Sequence, residues 1–136
     1  MFIDTNILVY AHIEDEPVKS AKAKMLIREQ LANDEIVVSV QVLNEFYANL
    51  AKPRFNTPHA IIVDYLSGIV RSFTVSPLNL STVSAALRLK ERYGYSWWDS
   101  LILAAALESD CEKCYSEDMQ DGQLIENRLT VVNPLA

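Results

Sequence analysis

The sequence predicts an α/β fold in which a parallel sheet is flanked by helices. Short apolar runs of strand length alternate along the chain with longer stretches of helical periodicity. One helical stretch, residues 101–107, is apolar on every side, the pattern of a helix buried on all faces. No repeat, linker or low-complexity tract interrupts the alternation across the 136 residues, so one domain over residues 1–136 is expected.

The elements follow in order. Met1, Phe2 and Ile3 form a short apolar strand, and Asp4, Thr5 and Asn6 are helix-capping types ahead of a short helix through Ile7, Leu8, Val9 and Tyr10. Pro17 suits a first helical turn, and Val18, Ala21, Met25 and Leu26 recur at helical spacing as an inward face up to about residue 32. Ile36, Val37 and Val38 are a β-branched strand, after which Ser39 can cap a third helix. That helix carries an apolar stripe of Leu43, Phe46, Tyr47 and Leu50 and a polar one of Gln41, Glu45 and Asn49, and Pro53 stops it.

A fourth helix is expected from Pro58 to about Arg71, with Ile61, Tyr65, Leu66 and Ile69 inward, followed by a strand at Phe73, Thr74 and Val75. Ser81 can cap the next helix, which packs Val83, Ala86, Leu87 and the stem of Lys90 inward and ends at Gly94. Ser96 and Asp99 have capping-box spacing at the head of the buried helix. Strands at residues 111–115 and 129–132 complete the sheet, and Pro134 closes the second of them.

Composition narrows the function classes. Hydrophobic residues make up 50% and charged residues 22%, as in a globular chain that buries a core. No apolar run approaches the roughly 20 residues that span a bilayer, and MFIDTNILVY lacks the basic start and cleavage site of a signal peptide, so a cytoplasmic protein is expected. Cys111 and Cys114, the only cysteines, would close too small a loop to constrain the chain, and their C-x-x-C lacks the second ligand pair of a zinc site. Buried or half-buried reduced thiols are expected. The net charge of -6 argues against nucleic-acid binding through a broad basic surface, unless several of the 18 acids sit together and hold divalent cations that reverse the local charge.

Four acids are placed for such a role. In parallel sheets flanked by helices, ligands bind beyond the carboxyl ends of the strands. Asp4 follows the first strand, Asp118 follows the strand at residues 111–115, and Asp99 opens the buried helix between them. Glu45 is the acid of the third helix's polar stripe. Taken singly, each has an ordinary structural explanation: Asp4 an N-cap, Glu45 a solvated residue, Asp99 half of a capping box, and Asp118 a loop acid beside Glu117 and Asp121. Together they are the oxygen donors that Mg²⁺ or Mn²⁺ prefers. Metal on such carboxylates can acidify a water and stabilise a leaving oxygen in phosphodiester hydrolysis. Neither His12 nor His59 lies in a triad context that would supply another nucleophile.

In order and local context, FIDTNILVY, SVQVLNEFYANL, SWWDSLILAAAL and YSEDMQDG, with the terminal LTVVNP, resemble the PIN-domain nucleases, and among them the VapC-like toxins of toxin–antitoxin pairs. The resemblance spans nearly the whole chain. It implies a five-stranded parallel sheet in an α/β/α sandwich, with Asp4, Glu45, Asp99 and Asp118 converging on one or two Mg²⁺ or Mn²⁺ ions. Asn6 and Ser116 match supporting positions of the family's motifs. Endonucleolytic cleavage of RNA, a homodimer, and inhibition by a cognate antitoxin that covers the active-site groove are implied as well.

Other features have competing readings. Tyr93, Tyr95, Trp97 and Trp98 are able to stack unpaired bases, although core or dimer packing is the more ordinary use of such residues. Lys19, Lys22, Lys24 and Arg28 are either an RNA guide or solvated surface. Among other enzymes, haloacid dehalogenase-like phosphatases want Asp-x-Asp where this chain has Asp4, Thr5 and Asn6, and receiver domains want a lysine after a late strand that is not found. A catalytically inactive binding module that recruits RNA or a protein partner is the alternative from another class.

Overall fold

The computed structural model describes residues 1–136, and the predicted alternation of strands and helices is present. Strand β1 (Phe2–Ile3) leads to α1 (Thr5–His12) and α2 (Pro17–Asn33), then β2 (Val37–Ser39), α3 (Val40–Ala51) and α4 (His59–Ser72). Next come β3 (Thr74–Ser76), α5 (Leu80–Tyr93), α6 (Trp97–Glu108) and β4 (Lys113–Tyr115). The chain closes with β5 (Leu124–Ile125) and β6 (Leu129–Val132).

The sheet runs β3-β2-β1-β4-β6-β5. Its first five members are parallel, as expected, and β5 adds a short antiparallel edge that the sequence did not signal. Two residues between turns present no periodicity to read. The two-residue β1 lies at the centre because Phe2 and Ile3 are both fully buried, paired with Val37 on one side and with Cys114 and Tyr115 on the other. A strand covered on both faces has to be apolar throughout.

From β1 the chain builds outward through β2 and β3, then returns to lay β4 on β1's other side. The direction of winding therefore switches between β1 and β4. A crevice opens at the carboxyl ends of strands that flank such a switch. Asp4 N–H donates to Tyr115 C=O at 2.9 Å, one step beyond the β1–β4 ladder, so the first polar residue after β1 is fixed at that crevice.

α6 is the buried helix: residues 100–106 are all inaccessible, and Ser96 caps it by accepting from Asp99 N–H at 3.1 Å. Gly94 ends α5 in the left-handed region at φ 76°, where a side chain would be strained.

The inward faces of four helices differ from expectation in phase. In α2 Val18 and Met25 are 69% and 58% exposed and Ala21 is also outside, while the small Ser20 and Ala23 are buried and the helix packs on α1. In α3 Val42 replaces Tyr47 in the core, and in α4 Ile62 replaces Ile61. In α5 Thr82 and Leu89 turn inward, leaving Leu87 and Lys90 outside. That helix starts at Asn79 rather than at Ser81, and Thr82 Oγ1 accepts from Asn79 N–H at 3.1 Å while donating to Glu108 of α6. Each helix has more apolar residues than one stripe holds, so packing against neighbours chooses the phase.

Candidate active site

Asp4 is the N-cap of α1 and is buried at the crevice. Both its carboxylate oxygens are engaged: Oδ1 accepts from Thr5 N–H at 2.7 Å and Oδ2 from Ser116 Oγ at 2.8 Å. Ser116 follows β4, and its Oγ in turn accepts from Asp118 N–H at 3.2 Å, which ties the loop after β4 to the end of β1. Burial pushes the Asp4 carboxyl up to about 7, against the two hydrogen bonds that favour its charged form; Asp99 and Glu45 add like-charge repulsion.

Glu45 reaches the same place from α3. Thr5 Oγ1 donates to its Oε1 at 2.7 Å, and Gln41, one turn earlier, extends Nε2 toward Oε2 at 3.4 Å and toward Trp98 C=O at 3.1 Å. The polar stripe of α3 thus faces the crevice and not open solvent, and Gln41 is itself buried. Asp99, in the first turn of α6, is half-buried; burial raises its carboxyl, Asp118 and Glu45 raise it further, and Ser96 partly offsets them. Asp118 is exposed, and Asn6 Nδ2 donates to its Oδ2.

The six residues read from the sequence therefore share one crevice. Thr5 and Gln41 join them as positioning groups, although the sequence showed them only as a capping type and a member of a polar stripe. The three acids of the SEDMQD loop separate: Asp118 meets Asn6, Glu117 is held by Lys19 and Tyr10, and Asp121 accepts from Asn133 N–H at 2.8 Å. Lys19 stabilises the charge on Glu117, holding that carboxyl below its ordinary value although burial opposes the shift. Lys22 Nζ donates to the Leu135 and Ala136 carbonyls at 3.3 and 3.5 Å, so each of the first two lysines of α2 has a partner within the molecule.

No Lys, Arg or His forms an ion pair with Asp4, Glu45, Asp99 or Asp118. The four repel one another across the crevice, and no three His, Cys, Asp or Glu side chains are drawn together as a ligand set in the arrangement seen. Gln41 Oε1, buried beside Glu45, has no donor. Uncompensated carboxylates and an orphaned acceptor have the chemistry of a site for a hydrated hard cation. Cys111 and Cys114 are free and buried, and Asp4 and Asp99 add to the burial that pushes the Cys114 thiol up.

A family model of the PIN domain matches residues 1–120. The chain belongs to the PIN-domain family. Three solved structures share the PIN fold with it. VapC20 of Mycobacterium tuberculosis, described as a sarcin-ricin loop cleaving toxin, is 17% identical with a TM-score of 0.71, over 86% of this chain and 88% of that one. A toxin–antitoxin complex from Klebsiella pneumoniae gives 18% and 0.70, over 98% and 96%. VapBC2 from Rickettsia felis, bound to a DNA fragment from its promoter, gives 17% and 0.69, over 97% and 98%. A search of curated proteins finds no significant match. In this PIN domain the ends of β1 and β4 meet at the winding switch, where the buried Asp4 stands.

Proposed function

We propose that this PIN domain, acting as one unit over residues 1–136, is a Mg²⁺- or Mn²⁺-dependent endoribonuclease that hydrolyses RNA phosphodiester bonds as the toxin of a toxin–antitoxin pair. The observation that carries the reading is Asp4: a carboxylate buried at the winding switch, fixed at both oxygens, repelled by Asp99 and Glu45, with no cationic side chain paired to any of the three. Asp4, Asp99, Glu45 and Asp118 would hold the ion. When bound, a divalent cation supplies an acidified water and charge to stabilise the leaving oxygen.

The protein's own groups set the stage for that chemistry. Ser116 and Thr5 N–H hold the Asp4 carboxylate in one orientation, Thr5 Oγ1 and Gln41 aim Glu45, and Asn6 steadies Asp118. Side chains give no competing nucleophile. His12 packs against Phe46 and Tyr65 with Nδ1 on Leu8 C=O at 2.8 Å, and both thiols are buried. Water is the attacking group in this reading.

The partners follow from the same family membership and from the surface. Solved neighbours of this fold are toxin–antitoxin complexes, which supports a cognate antitoxin; a lack of any small protein gene beside this one would count against it. Leu80 and Leu87 of α5, 81% and 59% exposed and two turns apart, support pairing with a second copy, and a monomer in sedimentation would refute that. No helix is long and apolar enough to cross a membrane, and the cytoplasm is the proposed place of action.

The test is cleavage of a mixed cellular RNA pool by purified protein with Mg²⁺ or Mn²⁺, with excess chelator, and with Asp99→Asn. Metal-dependent cleavage lost in the variant is expected. Folded protein that neither cuts RNA nor binds metal would turn the reading to an inactive module that recruits RNA or a protein partner.

A further inference from the structure

Beside the carboxylates lies a second cleft of about 230 Å³. Asn6 and Asp118, the hydrogen-bonded pair of the candidate site, form its shared wall, and Tyr10, Asn49, Arg54 and Phe55 line it further together with two aliphatic residues and three acids. Asn49 continues the stripe of Gln41 and Glu45 one turn further along α3, about 6 Å along the helix axis. One helix edge therefore leads from the carboxylates directly into the cleft. Arg54 and Phe55 sit on the turn after α3, which is closed by Phe55 N–H and Asn56 N–H donating to Lys52 C=O at 3.1 and 2.7 Å.

Arg54 is the only lysine or arginine in the lining. Its guanidinium stands 5.3 Å from the centre of the Phe55 ring and pairs with Asp15, and its side chain is 66% exposed. The other acids of the lining are already occupied or shared: Glu117 is held by Lys19 and Tyr10, and Glu16 lies 3.8 Å from Lys19. An ion pair as exposed as Asp15–Arg54 is weak, because solvent screens both charges, so exchanging its carboxylate for another anion costs little. The guanidinium fork takes a phosphate through two parallel hydrogen bonds. An aromatic ring and an amide beside it are what single-stranded RNA bases are recognised by. The cleft is smaller than the roughly 300 Å³ at which drug-sized pockets begin, which suits one nucleoside-sized group.

We propose that this cleft seats the nucleotide adjoining the scissile phosphate, with Arg54 leaving Asp15 to hold a backbone phosphate and with Phe55 and Asn49 meeting the base. The proposal rests on the nuclease reading and adds where the RNA lies. Asp15 is then a gate on affinity, because it competes with RNA for the same guanidinium.

The experiment measures binding of a fluorescein-labelled short single-stranded RNA of mixed sequence in the Asp99→Asn background with Mg²⁺, alongside cleavage by the active protein. Arg54→Ala is expected to weaken binding about tenfold and lower the salt slope by about one, with Arg54→Lys recovering part of the affinity. Asp15→Asn should tighten binding, a gain that a merely structural role for the pair does not produce. In cleavage, Arg54→Ala should raise KM and leave kcat nearly unchanged. Unchanged RNA affinity in both Arg54→Ala and Asp15→Asn, in protein whose circular dichroism is native, overturns the cleft proposal while cleavage by the wild type keeps the nuclease reading. RNA bound but never cut overturns the nuclease reading instead, and the binding arms still decide the cleft. No RNA binding in this background together with no cleavage by the wild type overturns both.

Discussion

Asp4 caps a helix and keeps a carboxyl group out of water, and the second of these has a measurable cost. In the unfolded chain the group loses its proton near 3.8, whereas in the folded protein burial holds it to about 7. Between those values the folded state binds more protons, so stability from this group is fully present below the ordinary value and is lost as pH rises through about 7. Metal-free wild type is expected to lose up to about 1.4 kcal/mol per pH unit from this source over that window. His12 acts in the opposite direction: burial lowers its basicity, so it favours the folded state above its ordinary value and weakens it as pH falls. The informative quantity is therefore wild type minus Asp4→Asn, measured by urea unfolding in chelator. That difference should become less favourable to the wild type as pH rises, and a flat difference would remove the buried acid from the stability balance. Asp4→Asn should also abolish cleavage while keeping the fold. The residue was legible in the sequence because a strand-length apolar run ends on a capping type. Glu45 was less so, since an acid on a polar stripe is ordinarily solvated. Only the packing of α3 across the end of the sheet makes that stripe face inward.

The elements show where sequence pattern stops being sufficient. Strands with a continuous β-branched or aromatic run were readable, as was α6, whose apolar residues surround the helix and leave no choice of face. α2, α4 and α5 carry apolar side chains on more than one face, and the inward phase is chosen by the neighbour that each helix meets. In α5 that choice depends on Thr82, which is buried and bridges Asn79 N–H to Glu108 at the far end of α6. Thr82→Val preserves the volume and removes both hydrogen bonds. A loss of about 1–2 kcal/mol is expected, since a buried hydrogen-bonding group left unmatched costs that much. The unfolding midpoint in urea checks it, and cleavage per folded molecule should be unchanged because Glu108 lies at the end of α6 opposite Asp99. A fall in kcat would show that strain at this joint travels along α6.

For the molecule as a whole, 18 acids against 12 lysines and arginines leave a net charge of -6, and four of the acids without an ion-pair partner stand where β1 and β4 end. Adding a cation there should stabilise the entire fold by mass action, about 2.7 kcal/mol at a concentration one hundred times the dissociation constant. Thermal unfolding should therefore move up by several degrees in millimolar Mn²⁺, and the rise should vanish in Asp99→Asn. An equal rise in both proteins would mean that the ion binds elsewhere. The winding of the sheet also has a consequence for how the protein comes into being. Asp4 and Ser116, whose side chains join the two halves of the crevice, are 112 residues apart. At a ribosomal rate of about 5–20 residues per second, the first strand waits on the order of ten seconds for the partner that completes its pairing. Until residue 116 has left the tunnel the nascent chain has no assembled crevice, so the early strands and helices emerge without a site between them.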